Sequence, residues 1–110
     1  MDEVTEDNEK VKIVVIGDGS VGKTSMIMCY AHDKFPDSHI PTVFDNHKGI
    51  TKFNNEEVLL DIWDTAGQKD LGRLRPCVYP GTNIFCVCFS LVDRYSFENA
   101  CKDWISELRN

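Results

Sequence analysis

The amino-acid sequence predicts an α/β fold in which helices cover a mostly parallel sheet. Two short runs, at 10–17 and 83–91, carry apolar residues on both faces, as expected of strands buried between two layers. A helical period of apolar residues follows the second run. The order strand, helix, hairpin, strand, helix is typical of an α/β sandwich. The length of 110 residues, 42% of them hydrophobic, suits one domain with a modest core.

The first half of the chain contains one strand, one helix and a long irregular segment. The strand at 10–17 should be central because both of its faces are apolar. Residues 1–10 before it are acidic and predict a flexible tail, with an acidic docking arm as the alternative. Apolar residues at helical spacing predict a helix over 23–31, and 32–49 has no period and predicts a loop.

A hairpin is predicted in the middle of the chain. The runs 50–53 and 56–64 are separated by Asn54 and Asn55, whose side chains tolerate left-handed backbone. Residues 64–82 then form a second irregular stretch before the last strand.

The end of the chain predicts an amphipathic helix over 93–110. Asp93 or Ser96 is expected to cap its N-terminus. Its apolar face is predicted to consist of Phe97, Ala100, Cys101, Trp104, Ile105 and Leu108.

Charge and composition exclude several classes of function. The net charge is −6 with no basic stripe, which argues against nucleic-acid partners and against a polybasic membrane patch. There is no signal-peptide pattern and no apolar run long enough for a membrane span. Five cysteines without a C-x-x-C pair favour a reduced, cytosolic setting, and the three histidines show no metal-ligand spacing.

The segment GDGSVGKT at 17–24 matches the pattern G-x-x-x-x-G-K-[ST] through Gly17, Gly22, Lys23 and Thr24. Bare backbone lets successive N–H groups surround an anion, and the following helix adds its positive end. The lysine supplies a charge for outer phosphates, and the threonine hydroxyl is a hard oxygen ligand for Mg²⁺. Because the segment lies between a buried strand and a helix, it predicts phosphate binding, with a plain turn as the alternative.

A second motif, DIWDTAGQ, places Asp64 at the end of a predicted strand. Ligands of α/β sheets bind at the carboxyl ends of the strands, where an aspartate can hold Mg²⁺ opposite Thr24. An aspartate at a strand end is by itself more often a cap or turn residue. Together with the glycine-rich motif, it predicts a metal ligand.

Several segments together resemble the Ras superfamily of small GTPases, and the Rho family in particular. They are IPTVFDN at 40–46, DTAGQ at 64–68, RLRPCVYPGT at 73–82 and CFSLVDRYSFENA at 88–100. The resemblance implies a doubly wound P-loop NTPase domain, of which 11–110 would be the N-terminal portion, through the third helix. It also implies GTP or GDP as the bound nucleotide, Mg²⁺ as cofactor, hydrolysis of GTP, and signalling of the Rho type to the actin cytoskeleton.

The resemblance carries site residues onto this sequence. Thr42 and Gly67 would sense the γ-phosphate, and Phe35 would pack beside the guanine. The implied Mg²⁺ ligands are Thr24, Thr42 and Asp64. The implied nucleotide-binding residues are Gly17, Asp18, Gly19, Ser20, Val21, Gly22, Lys23, Thr24, Ser25, Phe35, Thr42 and Gly67.

Three residues would be catalytic. Gln68 would orient the attacking water, Gly19 would leave room for it, and Lys23 would bridge the β- and γ-phosphates. With Gln68 and Gly19 both present, no loss of hydrolysis is predicted.

The sequence departs from the Rho pattern at three positions. His39 replaces a tyrosine that closes over the nucleotide, which implies a looser lid. His47 replaces an aromatic residue, and Lys69 replaces an acid that regulators meet. Arg73 and Arg75 concentrate positive charge, which predicts either a contact site for regulators and effectors or a solvated loop.

The partners implied are effectors, exchange factors and GTPase-activating proteins, through switch I (39–47) and switch II (64–80). The guanine-recognition motifs and the prenylated cysteine of the family match nothing in this sequence, so we expect no membrane association from this chain and a cytoplasmic location, unless a longer form carries a lipidated C-terminus. Two alternatives remain: a non-catalytic interaction module that displays the switch surfaces, and a P-loop ATPase.

Overall fold

Among the residues that the structure describes, a mixed four-stranded sheet carries helices on both faces. The computed structural model describes residues 9–19, 21–32, 44–65, 67 and 75–109. The strands are β1 (Glu9–Gly17), β2 (Phe44–Phe53), β3 (Glu56–Thr65) and β4 (Ile84–Cys88). The helices are α1 (Lys23–His32), α2 (Arg94–Asn99) and α3 (Ile105–Arg109), with a 3₁₀ turn at Arg75–Val78 and a π-helical segment at Ala100–Trp104 between α2 and α3.

The sheet order is β2-β3-β1-β4. Strand β1 runs parallel to β3 and β4, and β2 pairs antiparallel with β3. On one face of β1, Val14 and Ile16 pack against Trp104. On the other face, Val15 packs against Ile27 of α1. The mostly parallel α/β fold and the central position of β1 are therefore confirmed.

The hairpin is confirmed, but β2 is longer than predicted. Asn54 (φ 51°) and Asn55 (φ 65°) both adopt the left-handed conformation that a two-residue turn requires. The predicted loop over 32–49 is wrong for 44–49, because β2 already pairs with β3 from Phe44 onward. Backbone hydrogen bonds to β3 hold this polar edge strand in place. Because backbone pairing does not require alternating apolar side chains, the sequence shows no strand pattern there.

Strand β1 begins before the predicted tail ends. Glu9, assigned to the tail, and Lys10, where the predicted tail and strand overlap, pair with Val58 and Leu59 of β3. The rest of the tail lies outside the described residues. Strand β4 is shorter than the predicted 83–91 and ends at Cys88.

The last helix is capped as expected but turns differently. The Asp93 carboxylate accepts hydrogen bonds from the backbone N–H groups of Tyr95 and Ser96, so Asp93 is the N-cap. Of the predicted apolar face, Ala100 and Trp104 are buried and Leu108 packs against the core. The prediction is wrong for three other positions, which are exposed: Phe97, Cys101 and Ile105. For Cys101 and Ile105 the reason is the π-helical segment, which is wider than an α-turn and changes the phase of the helix from Ala100 onward. Phe97 precedes that segment and packs edge-to-face on Phe89.

All five cysteines lie in the described part of the chain and are free thiols. No helix among the described residues is both long and apolar enough to cross a membrane.

The two edges of the described sheet differ in character. Strand β2 carries Lys48 and Lys52, and charged side chains discourage pairing with another sheet edge. Strand β4 carries no charged residue, and its sequence IFCVC is followed by exposed apolar side chains. These are Phe89, Leu91, Val92, Tyr95 and Phe97.

We therefore expect the 110-residue chain to self-associate through β4. Ile84→Lys should weaken the association about tenfold or more, because pairing would bury the new charge. Ile50→Lys on β2 is the matched control and should leave association unchanged. Sedimentation velocity over a concentration series measures both. Dissociation by Ile50→Lys and not by Ile84→Lys would assign the contact to the other edge.

Candidate functional site

A glycine-rich loop, residues 17–22, connects the carboxyl end of β1 to α1. Gly17 has φ 148°, and a Cβ at this position would overlap the backbone carbonyl of Cys88 in the neighbouring strand β4. Gly22 has φ 98°, and its carbonyl accepts the Met26 N–H at 2.9 Å, which starts the helix. Both positions therefore require glycine. Gly19 and Gly22 are exposed, so the loop backbone is open to a ligand.

The ammonium group of Lys23 lies against this loop. Its Nζ donates to the carbonyl oxygens of Gly17 at 2.9 Å and Asp18 at 2.6 Å, and the residue is only 6% exposed. Burial lowers the pKa of Lys23, and the nearby Asp64 carboxylate opposes that shift. An anion held by the loop would likewise favour the charged ammonium.

The second part of the site is a contact between α1 and β3. The Thr24 hydroxyl donates to Asp64 Oδ2 at 2.5 Å, and Asp64 is fully buried. Asp64 lies opposite Val15 in the parallel register of β3 and β1. The next residue, Thr65, donates to the Val15 carbonyl at 2.8 Å and fixes the end of β3. A hydroxyl and a carboxylate are hard oxygen ligands, so this pair fits Mg²⁺.

Gly67 lies directly against the glycine-rich loop. A Cβ at this position would overlap backbone atoms of Gly17, Asp18 and Gly19. The chain after β3 can therefore approach the loop this closely only as glycine. This contact brings the start of the predicted switch II to the loop.

The Asp18 side chain makes contacts that sequence reasoning missed. Its two carboxylate oxygens accept hydrogen bonds from Asn99 Nδ2 at 2.7 Å and Trp104 Nε1 at 2.8 Å. Sequence analysis placed Asp18 among the implied nucleotide-binding residues and Trp104 on the apolar face of the last helix. The one available signal was the indole N–H, since a buried tryptophan usually has a hydrogen-bond partner.

Arg75 is buried, so the predicted contact site for regulators, and equally the solvated loop, is wrong for this residue. Its guanidinium group pairs with Glu107 at 2.9 Å and lies 4.6 Å from the centre of the Trp104 ring. Burial would raise the pKa of Glu107, but hydrogen bonds from Arg75 and Tyr79 lower it below its ordinary value. Burial and the Glu107 hydrogen bond raise the pKa of Tyr79.

The structure thus brings the glycine-rich loop, Lys23, Thr24, Asp64 and Gly67 together at one edge of the sheet. Val21 and Ser25 are partly exposed in the same region, and His47 is buried on β2. The remaining predicted site residues lie outside the described part of the chain. They are Ser20, Phe35, His39, Thr42, Gln68, Lys69 and Arg73.

The chain is similar to known proteins over nearly its whole length. The model of the Ras family matches residues 12–110. The chain is 46% identical, over 107 residues, to a Ras-like GTP-binding protein RhoL of Drosophila melanogaster. The match covers 97% of this chain and 56% of that relative, so the chain spans little more than half of the relative's length.

The Gly67 contact yields a test of stability. Gly67→Ala should lower the free energy of unfolding by about 1–3 kcal/mol, because the atoms it would overlap are backbone and have no alternative rotamer. Gly49→Ala is the control, since a Cβ there would lie 3.8 Å from the Tyr30 ring, an ordinary contact. Urea denaturation measures both changes. Equal stabilities for the two variants would mean that residue 67 does not pack on the loop.

Proposed function

Because the chain belongs to the Ras family, we propose that it carries the phosphate-binding and switch half of a Rho-like GTP-binding switch, which hydrolyses GTP to GDP and phosphate. The observation that supports this most directly is the arrangement of a buried lysine and a threonine–aspartate pair around one glycine-rich loop. The similarity to a Ras-like GTP-binding protein supports the choice of GTP.

In this proposal the glycine-rich loop and the N-terminus of α1 hold the phosphates. Backbone N–H groups of the loop and the positive end of the helix both favour negative charge. Lys23 is placed to exchange its loop carbonyls for phosphate oxygens, since its Nζ already lies against Gly17 and Asp18. Phe35 would contact the guanine, as the family resemblance implies.

Thr24 and Asp64 would hold Mg²⁺, with Thr42 as a third ligand. The oxygen donors of the first two already lie 2.5 Å apart beside the loop. When bound, Mg²⁺ neutralises the negative charge that develops on the phosphates during transfer.

Hydrolysis would depend on residues of the two switches. Gln68 would orient the attacking water, and Gly19 would leave space for it. Thr42 and Gly67 would order the switches when a γ-phosphate is present. The packing of Gly67 on the loop backbone supports this role for the start of switch II.

Effectors, exchange factors and GTPase-activating proteins would bind through switch I (39–47) and switch II (64–80). Burial of Arg75 assigns part of switch II to internal packing, so partners would meet its other residues.

We propose a cytoplasmic location, with membrane association only in a form that carries a lipid, and Rho-type signalling to the actin cytoskeleton.

The first test is the nucleotide itself. Purified protein should contain bound guanine nucleotide, identified by chromatography after denaturation. Bound adenine nucleotide would favour a P-loop ATPase, and the absence of nucleotide would favour an interaction module.

Lys23→Ala should weaken GDP binding with Mg²⁺ at least about 100-fold, because the polyphosphate loses a buried cation.

Lys48→Ala is the control for that variant, because Lys48 is exposed and pairs only with Asp61 among the described residues. Calorimetry should find its affinity for GDP unchanged. Unchanged affinity in Lys23→Ala would reject the assignment of the glycine-rich loop.

Turnover gives a separate test. Gln68→Leu should leave GTP affinity nearly intact, because the glutamine acts on the attacking water and not on the ground state. It should remove the stimulation by a GTPase-activating protein, which is about 10³–10⁵-fold in such switches. Phosphate release under single-turnover conditions measures the rate. Equal stimulated rates in both forms would exclude this role for Gln68.

A further inference from the structure

Asp18 carries the only charged side chain of the glycine-rich loop. Its carboxylate accepts hydrogen bonds from the last helical region. A carboxylate beside a bound phosphate would repel it. Both oxygens of Asp18 instead accept from neutral donors, Asn99 at 2.7 Å and Trp104 at 2.8 Å. The backbone carbonyl of the same residue accepts the Lys23 ammonium at 2.6 Å. The position of Asp18 therefore fixes one of the two loop carbonyls that hold the Lys23 ammonium, the other being that of Gly17.

The π-helical segment makes this double contact possible. Asn99 and Trp104 are five positions apart, and in a regular α-helix such residues point about 140° away from each other. The wider turn at Ala100–Trp104 brings both side chains to one carboxylate. Single π-turns inside α-helices are frequent at functional sites.

The ring of the same tryptophan contacts Arg75. The guanidinium carbon lies 4.6 Å from the Trp104 ring centre, and Arg75 also pairs with Glu107 of α3. Arg75 opens the 3₁₀ turn that follows residues 64–74. One indole thus contacts the glycine-rich loop through its N–H and the end of the predicted switch II through its ring.

We propose that Trp104 is a positioning residue that couples the glycine-rich loop to the end of the predicted switch II. Its stacking with Arg75 fixes the orientation of the indole, and the indole, with Asn99, fixes Asp18 and the loop. A partner that displaces Arg75 would then loosen the loop and speed nucleotide release. This inference rests on the proposed nucleotide binding, and it assigns to the Asp18 side chain a role beyond contact with phosphate.

The test is a double-mutant cycle on the dissociation rate of a fluorescent GDP analogue from the full-length protein with Mg²⁺. Trp104→Phe keeps an aromatic ring beside Arg75 but replaces the indole and so removes its N–H. Asp18→Ala removes the acceptor of that N–H, and Arg75→Gln removes the stacked cation. Each should raise the dissociation rate about tenfold, the effect of one lost charge-assisted contact. Asp18→Ala combined with Arg75→Gln should give no more than the larger single effect, whereas independent sites would multiply to about 100-fold.

Two matched controls separate coupling from general destabilisation. Trp63→Phe removes a second indole–carboxylate contact, Trp63 Nε1 to Asp61 Oδ2 at 3.2 Å, away from the loop. Arg94→Gln removes an exposed arginine of α2 that pairs with Glu98. Both should change the dissociation rate by less than about twofold. Single-turnover hydrolysis of bound GTP should change less than nucleotide release in all three test variants.

The outcomes distinguish this inference from the proposed function. If the unmodified protein binds no guanine nucleotide, both fail. If it binds GDP but the two effects multiply, or the test variants release it at the unmodified rate, only the coupling is overturned. Should Trp104→Phe fail to fold, the cycle of Asp18 and Arg75 decides alone, because it leaves the buried indole in place.

Discussion

The parallel pairing of β1 with both β3 and β4 is the constraint on which the rest of the molecule depends. It aligns the carboxyl ends of three strands, so that Val15 lies opposite Asp64 and Gly17 lies opposite Cys88. Three features therefore lie next to one another at this end of the sheet: the glycine-rich loop, the buried Asp64 carboxylate and Gly67. Ligands of such sheets bind at the carboxyl ends of the strands, so this alignment decides where the candidate site lies.

Much of the fold follows from local sequence. The two apolar faces of β1 identified the centre of the sheet, and the Asn54-Asn55 pair identified the hairpin. The run that forms β4 is equally apolar but lies at an edge of the described sheet. The start of β2 could not be predicted, because a polar edge strand is defined by its partner's backbone. The phase of the last helix could not be predicted either, since a π-helical turn at Ala100–Trp104 breaks the 3.6-residue period.

The site divides in the same way. The contact between Thr24 and Asp64 could be expected, because each residue belongs to a motif whose spacing and position between elements indicate a magnesium ligand. The hydrogen bonds of Asp18 reach Asn99 and Trp104, which are 81 and 86 positions away along the chain, and no local sequence pattern predicts them. Arg75 was mistaken for a surface charge because its partner Glu107 lies on another element. Long-range polar contacts of this kind depend on the packed structure.

The topology also orders the assembly of the molecule. The hairpin of β2 and β3 closes through two residues and can form on its own in about 1–10 μs. Strand β1 must wait for partners as distant as Val58 and Ile84, and such non-local pairing is slow. During translation, β1 leaves the ribosome before both of its partner strands and is therefore among the last of the described strands to be covered. Because both of its faces are apolar, the nascent chain exposes aggregation-prone surface until β4 has emerged.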